Sequence, residues 1–167
     1  MNRILTKLNS WVSLVKMEIS GFEEPFYYFE LDDYVSIIVV NEMDEIAFVK
    51  QFRPTLNMFT LELPGGIIEK GDSPLRAASR ELLEETGLIL GNVIGILEPR
   101  YIDSVRLTGK NHTFIVKSSG LSNSKPELSI ELQWVSKHQL PEFLKSGQLS
   151  LESHAGVIAQ ALIFEYI

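Results

Sequence analysis

One stretch of this chain carries its own boundaries. Ser73 offers a side-chain oxygen as an N-cap, Pro74 follows at the first helical position, and Gly87 stands just past the last periodic residue. The spacing therefore predicts a helix between Ser73 and Gly87. Leu75, Ala78, Leu82 and Thr86 recur along it and form a stripe able to pack on a sheet. Its surroundings are β-rich. Phe26 to Phe29, Tyr34 to Val40, Ile46 to Phe52 and Met58 to Leu63 precede it, and Leu88 to Leu97, Thr113 to Val116 and Ile130 to Val135 follow. Asn41 to Glu45 reads as a hairpin turn and Ser118 to Pro126 as a long loop. Two more helices are expected, about Lys137 to Lys145 and about Ser153 to Tyr166. Strands, helix, strands, helix, helix is the order of an α/β (α+β) fold: a mixed β-sheet covered by helices on both faces.

At 167 residues one compact domain is expected. Residues 1–40 form an N-terminal β-rich segment and 41–167 the main domain. Acids outnumber bases by 22 to 15, giving a formal charge of -7 with no Lys/Arg-rich run, so binding a nucleic-acid polymer by phosphate neutralisation is not expected. The absence of cysteine excludes a thiolate nucleophile, a disulfide scaffold and a Cys-based zinc or iron-sulfur site. No apolar run approaches the roughly 20 residues that span a bilayer, and polar residues interrupt the start. A cytoplasmic protein without membrane contact is expected.

The chemistry concentrates on the bounded helix. Residues three and four apart share a helical face, which brings Glu81, Glu84 and Glu85 to one patch. Each like-charge pair there costs roughly 0.2 to 0.5 kcal/mol, and only Arg80 offers relief within the helix. A hard divalent cation, Mg2+ or Mn2+, would turn that repulsion into binding. Gly65 and Gly66, in the turn before the helix, let backbone approach a ligand closely. Taken singly, each feature also has an ordinary reading: a plain turn and a solvated helix face.

Together they resemble the signature of the Nudix hydrolases: Gly, five residues, Glu, seven residues, Arg-Glu, an aliphatic, any residue, Glu-Glu, any residue, Gly, an aliphatic. Here these positions are Gly66, Asp72, Arg80, Glu81, Leu82, Glu84, Glu85, Gly87 and Leu88. Chance agreement at the strictly matched Gly, Arg and Glu positions is on the order of one in ten million per start. Asp72 departs from the pattern, placing its carboxylate one methylene nearer the backbone.

The resemblance implies a Nudix-type α/β/α sandwich and hydrolysis of a nucleoside diphosphate derivative by water under Mg2+ or Mn2+. It implies Glu81, Glu84 and Glu85 as metal ligands with Gly65 as a fourth, Arg80 as the residue that orients them, and Gly66 at the substrate. The general base is a motif glutamate, Glu84, or an acid from a late loop, for which Glu127 is the candidate ahead of Glu131. Val49 to Pro54, Leu61 to Gly66 and the tail Gly147 to Ala161 are similar to the branch that cleaves ADP-ribose and nucleotide sugars. That branch implies Arg53 as a phosphate contact, the alternative being a surface pair with an acid such as Glu62, and a homodimer to which Phe26 to Phe29 contribute. Tyr101-Ile102-Asp103-Ser104 stands where ADP-ribose enzymes carry a proline-rich loop, which leaves the substrate open. Tyr101 or the Phe26 to Phe29 cluster could stack on a base or lie in the core; Trp11, Trp134 and the three histidines read as structural. Two alternatives stay beside the hydrolase: a Nudix-fold ligand sensor, and an enzyme acting on dinucleotides or on oxidised or capped nucleotides.

Overall fold

The computed structural model describes residues 2–123 and 126–167. Two sheets organise them. The smaller is antiparallel, β1 (Asn2–Lys7), β2 (Val12–Met17) and β3 (Phe26–Leu31), in that order. The larger is built on β4 (Tyr34–Val40), β5 (Glu45–Arg53), β8 (Leu88–Tyr101), β9 (Lys110–Leu121) and β10 (Ile130–Ser136), in the order β10-β5-β4-β9-β8. Two short strands join it: β6 (Met58–Glu62) pairs with β5, and β7 (Gly65–Ile67) with β4. Because β4 and β9 run parallel while the other neighbours are antiparallel, the sheet is mixed.

Alternation along the central strands divides the core in two. Val35, Ile37 and Val39 turn to one face with Ala47, where Ala77, Ala78 and Leu82 of helix α1 (Pro74–Thr86) pack on them. Ile38, Val40, Ile46 and Phe48 turn to the other. There Leu140 of α2 (Leu140–Ser146) and Val157, Ile158 and Ala161 of α3 (Glu152–Ile163) complete an apolar layer. Period two in a strand buried on both faces gives two cores from one run of β-branched residues. This is an α/β/α sandwich with an additional N-terminal sheet.

Several boundaries differ from the sequence expectation, each for a physical reason. Tyr34 to Val40 belongs to the centre of the large sheet, so the division expected after residue 40 falls between Leu31 and Tyr34. Strand β8 continues through Pro99 to Tyr101 because it is an edge strand, and its register shifts between Leu97 and Arg100, where a residue without an N–H is tolerated. The loop expected from Ser118 begins later, since Gly120 and Leu121 still pair with Ile89 and Leu88. Ser124 and Lys125 of that loop lie outside the described residues. Among the described residues no helix is long and apolar enough to cross a membrane.

The small sheet is fastened where it matters for the site. The Phe29 N–H donates to the Arg106 carbonyl at 2.7 Å, and the Leu31 N–H to the Thr108 hydroxyl at 3.0 Å. The Asp32 N–H reaches the Trp11 carbonyl at 3.3 Å, so the β1–β2 turn is held against the start of β4.

Candidate active site

Helix α1 is placed by its caps and its apolar stripe. The Ser73 hydroxyl accepts from the Arg76 N–H at 3.3 Å, and Gly87, in the left-handed region at φ 72°, donates to the Leu83 carbonyl at 3.0 Å. With Ala77, Ala78 and Leu82 fixed on the sheet, Glu81 and Glu85 flank the buried stripe and face the turn at Gly65 and Gly66. The Gly65 N–H donates to Glu85 Oε2 at 2.9 Å. A Cβ at Gly65 would collide with the Val35 carbonyl, and one at Gly66 with the Glu81 carboxylate. Gly65 is therefore required by the close approach of backbone to backbone, whereas at Gly66 a side chain would displace the Glu81 carboxylate from its present position.

Gly65, Gly66, Glu81 and Glu85 line a cavity of about 820 Å³, within the range of roughly 300 to 1,000 Å³ typical of small-molecule sites. Burial pushes the Glu85 carboxyl up to about 8, and the neighbouring Glu81 adds to this against the Gly65 N–H and Arg53. Burial also raises Glu81, against the pull of Arg80. Two acids have thus been taken from water with too little positive charge to keep both ionised. Divalent cations prefer such oxygen donors, and a Mg2+ or Mn2+ ion would supply the missing charge.

Glu84 departs from the expected patch. It does not line the cavity; its side chain is 56% exposed and paired with Arg80. Arg80 spreads one guanidinium over several acceptors: Nη1 lies 2.8 Å from Glu81 and 3.1 Å from Glu84, and Nη2 donates to the Ile67 carbonyl at 3.0 Å. Among the described residues no three His, Asp or Glu side chains are gathered closely enough to hold a cation as they stand. The helical spacing placed the three glutamates within reach of each other, but Glu84 pairs with Arg80, one turn before it, outside the cavity wall. Glu127 approaches α1 through its backbone, its N–H donating to the Glu84 carbonyl at 2.9 Å, while its side chain is exposed and outside the cavity wall.

A second part of the wall is built by β5, β6 and α3. Arg53 donates from Nε and Nη2 to the two oxygens of Glu62 at 2.8 and 2.7 Å, and the Thr60 hydroxyl donates to Glu62 at 2.6 Å. Burial alone would raise Glu62; the guanidinium fork and the hydroxyl outweigh it and hold the carboxyl below its usual range. This is not the surface pair that the sequence left as an alternative, because Glu62 is only 2% exposed while Arg53 remains open to the cavity. His154 closes this part. Its Nδ1 accepts the Leu63 N–H at 3.0 Å, and burial lowers its pKa to about 4, against Glu62 and helped by Arg53.

Trp11, Tyr34 and Leu151 form an apolar rim. Trp11, read from sequence as a packing residue, is 44% exposed and borders the cavity. Tyr101 and Phe26 to Phe29 do not: Tyr101 lies under the Lys110 ammonium, 5.0 Å from its ring centroid, and the others sit in the small sheet. Glu62 was named from sequence only as a surface partner of Arg53; Thr60 and Glu62, two polar residues on one face of β6, are instead its buried side. Trp11, Tyr34 and His154 had no signal, being joined only by the fold.

Comparison with known proteins agrees with this architecture. The model of the NUDIX domain matches residues 30–153, and the chain belongs to the Nudix family. It is 27% identical over 135 residues to the ADP-ribose pyrophosphatase of Bacillus subtilis (strain 168), covering 78% of this chain and 65% of that protein. With the ADP-sugar pyrophosphatase of Mus musculus it shares 49% identity over 59 residues, 33% of this chain and 27% of the relative. A putative 8-oxo-dGTP diphosphatase of B. subtilis is 34% identical over 112 residues, covering 65% of this chain and 68% of that protein. The matches thus span less than two thirds of the length of the two pyrophosphatases.

Proposed function

We propose that this protein is a divalent-cation-dependent hydrolase of diphosphate bonds, acting on ADP-ribose or another nucleotide sugar. The observation that carries the reading is the burial of Glu85 and the partial burial of Glu81, both of the Nudix motif, in the wall of a ligand-sized cavity at the glycine turn. The names of the pyrophosphatase relatives support the substrate class.

Glu81 and Glu85 would hold Mg2+ or Mn2+, with Glu84 and the Gly65 backbone as further donors. When bound, the cation offsets the diphosphate charge and lowers the pKa of attacking water. Arg80 positions Glu81. Arg53, its inner edge committed to Glu62, presents its outer edge to a phosphate. Gly66 leaves room for the ligand beside Glu81. Glu127, which has no hydrogen bond or ion pair from its carboxylate to a described residue, is the proposed proton acceptor from water. Phe26, Tyr27 and Phe29 expose apolar surface on the small sheet, which supports a homodimer, and we place the protein in the cytoplasm.

The test is incubation with Mg2+ and a panel of ADP-ribose, nucleotide sugars, dinucleotides and 8-oxo-dGTP. ADP-ribose plus water should give AMP and ribose 5-phosphate. Tight binding of a panel member with no turnover of any would favour a sensor instead, and preferred cleavage of 8-oxo-dGTP would move the substrate class.

A further inference from the structure

We propose that His154 is a substrate-binding residue, donating its Nε2–H to a phosphate oxygen of the bound diphosphate beside the outer edge of Arg53. The proposal rests on the diphosphate reading of the cavity and adds to it a contact outside the carboxylate motif.

The tautomer follows from the backbone. An amide N–H can only donate, so the Leu63 N–H at 3.0 Å requires an unprotonated Nδ1, and the proton of the neutral ring lies on Nε2. Burial, which leaves the residue 6% exposed, opposes a second proton. Among the described residues Nε2 has no hydrogen-bond partner, and it is not one of the unpaired side-chain nitrogens shut off from solvent, so its N–H is open to a partner from outside the protein. The ring lines the cavity, so the partner has to come from whatever fills it.

The neighbours select its chemistry. Both residues line the cavity, but Glu62 is 2% exposed whereas the Arg53 side chain is 44% exposed, so the accessible edge of the ion pair is its guanidinium. An oxygen beside this pair meets a positive edge, which suits phosphate. The position is also fixed relative to the metal-binding acids: Leu63, which pins the imidazole, lies two residues before Gly65, whose N–H holds Glu85.

Two substitutions separate a ligand contact from a structural one. In His154→Asn the side-chain oxygen can still accept from Leu63, but the donor at the Nε2 position is lost. In His154→Gln the amide nitrogen reaches that position, but the Leu63 N–H loses its acceptor. Each variant is compared with the wild type for the Kd of ADP in the presence of Mg2+ by calorimetry, for KM and kcat on ADP-ribose, and for Tm. The expected result is a rise of about tenfold in Kd and KM for His154→Asn at nearly unchanged Tm. His154→Gln should show a lowered Tm with near-normal Kd. Wild-type affinity for ADP in His154→Asn overturns the proposal. If that variant does not fold, His154→Gln decides: near-normal Kd supports the contact, and a tenfold loss overturns it. Wild-type protein that binds ADP without cleaving any member of the panel defeats the hydrolase reading and leaves the Kd comparison as the test of His154. Wild-type protein that does not bind ADP overturns both.

Discussion

Two arginines border the same cavity, and they are satisfied in different ways. Arg53 gives two hydrogen bonds to a single carboxylate, Glu62, whose remaining need is met by Thr60. Arg80 is divided between Glu81, Glu84 and the Ile67 carbonyl, and its buried Nε has no hydrogen bond. Asp72 stands 3.9 Å from that nitrogen. The first cluster is closed and its acid is held ionised; the second is short of positive charge and its buried acids are pushed toward protonation. A closed pair builds a wall, whereas an undercompensated one creates a demand that a cation can meet.

The comparison is broken most severely at Glu85. Glu85→Gln removes a proposed ligand worth several kcal/mol of transition-state stabilisation, so kcat/KM on ADP-ribose should fall on the order of a thousandfold with far-ultraviolet circular dichroism unchanged. Turnover near that of the wild type would remove Glu85 from the metal site. Next in size is Arg53→Ala. It leaves Glu62 buried without its partner, at a cost of about 3 kcal/mol given that Arg53 itself is partly solvated. Urea unfolding should show the loss, and the double variant Arg53→Met/Glu62→Leu should recover most of it while still binding ADP weakly.

Acidity separates the clusters in a third experiment. In the fold Glu85 titrates at about 8 rather than 4.5, so native protein keeps a proton that the unfolded chain has released, and stability should fall as pH rises between those values. His154 has the opposite sign: native protein refuses a proton that the unfolded chain takes, and stability should rise from about pH 4 to 6.5. Above pH 6.5 only the falling limb remains. Thermal melts in EDTA should show it, Mg2+ should flatten it, and Glu85→Gln should lack it. The smallest effect is expected at the departure from the family pattern. Asp72→Glu extends the carboxylate toward Arg80 Nε, and one added hydrogen bond should contribute about 1 kcal/mol to stability by denaturant titration. No gain would mean that Arg80 is already satisfied by means other than Asp72.

How far the molecule could be read before folding depends on distance along the chain. The caps at Ser73 and Gly87, the apolar stripe of α1 and the alternation of β4 are local, and they appear in the structure where the residues placed them. Glu84 is local as well: helical periodicity puts it near Glu81, and Arg80, four residues before it, pairs with its carboxylate. The strand expected to stop at Leu97 instead runs to Tyr101, with Pro99 at an irregularity in an edge, a position only the sheet order reveals. Trp11 and His154 carry no mark of their role, since one comes from the β1–β2 turn and the other from α3.

By itself the sequence determined the helix, its acids, the glycine turn and the two-faced strands, because capping, periodicity and steric freedom act over a few residues. Tertiary structure alone decided which acids lose water, which arginine is closed, and that an indole and an imidazole meet at one cavity. Those outcomes depend on dehydration and on the approach of distant segments, and neither exists until the chain has packed.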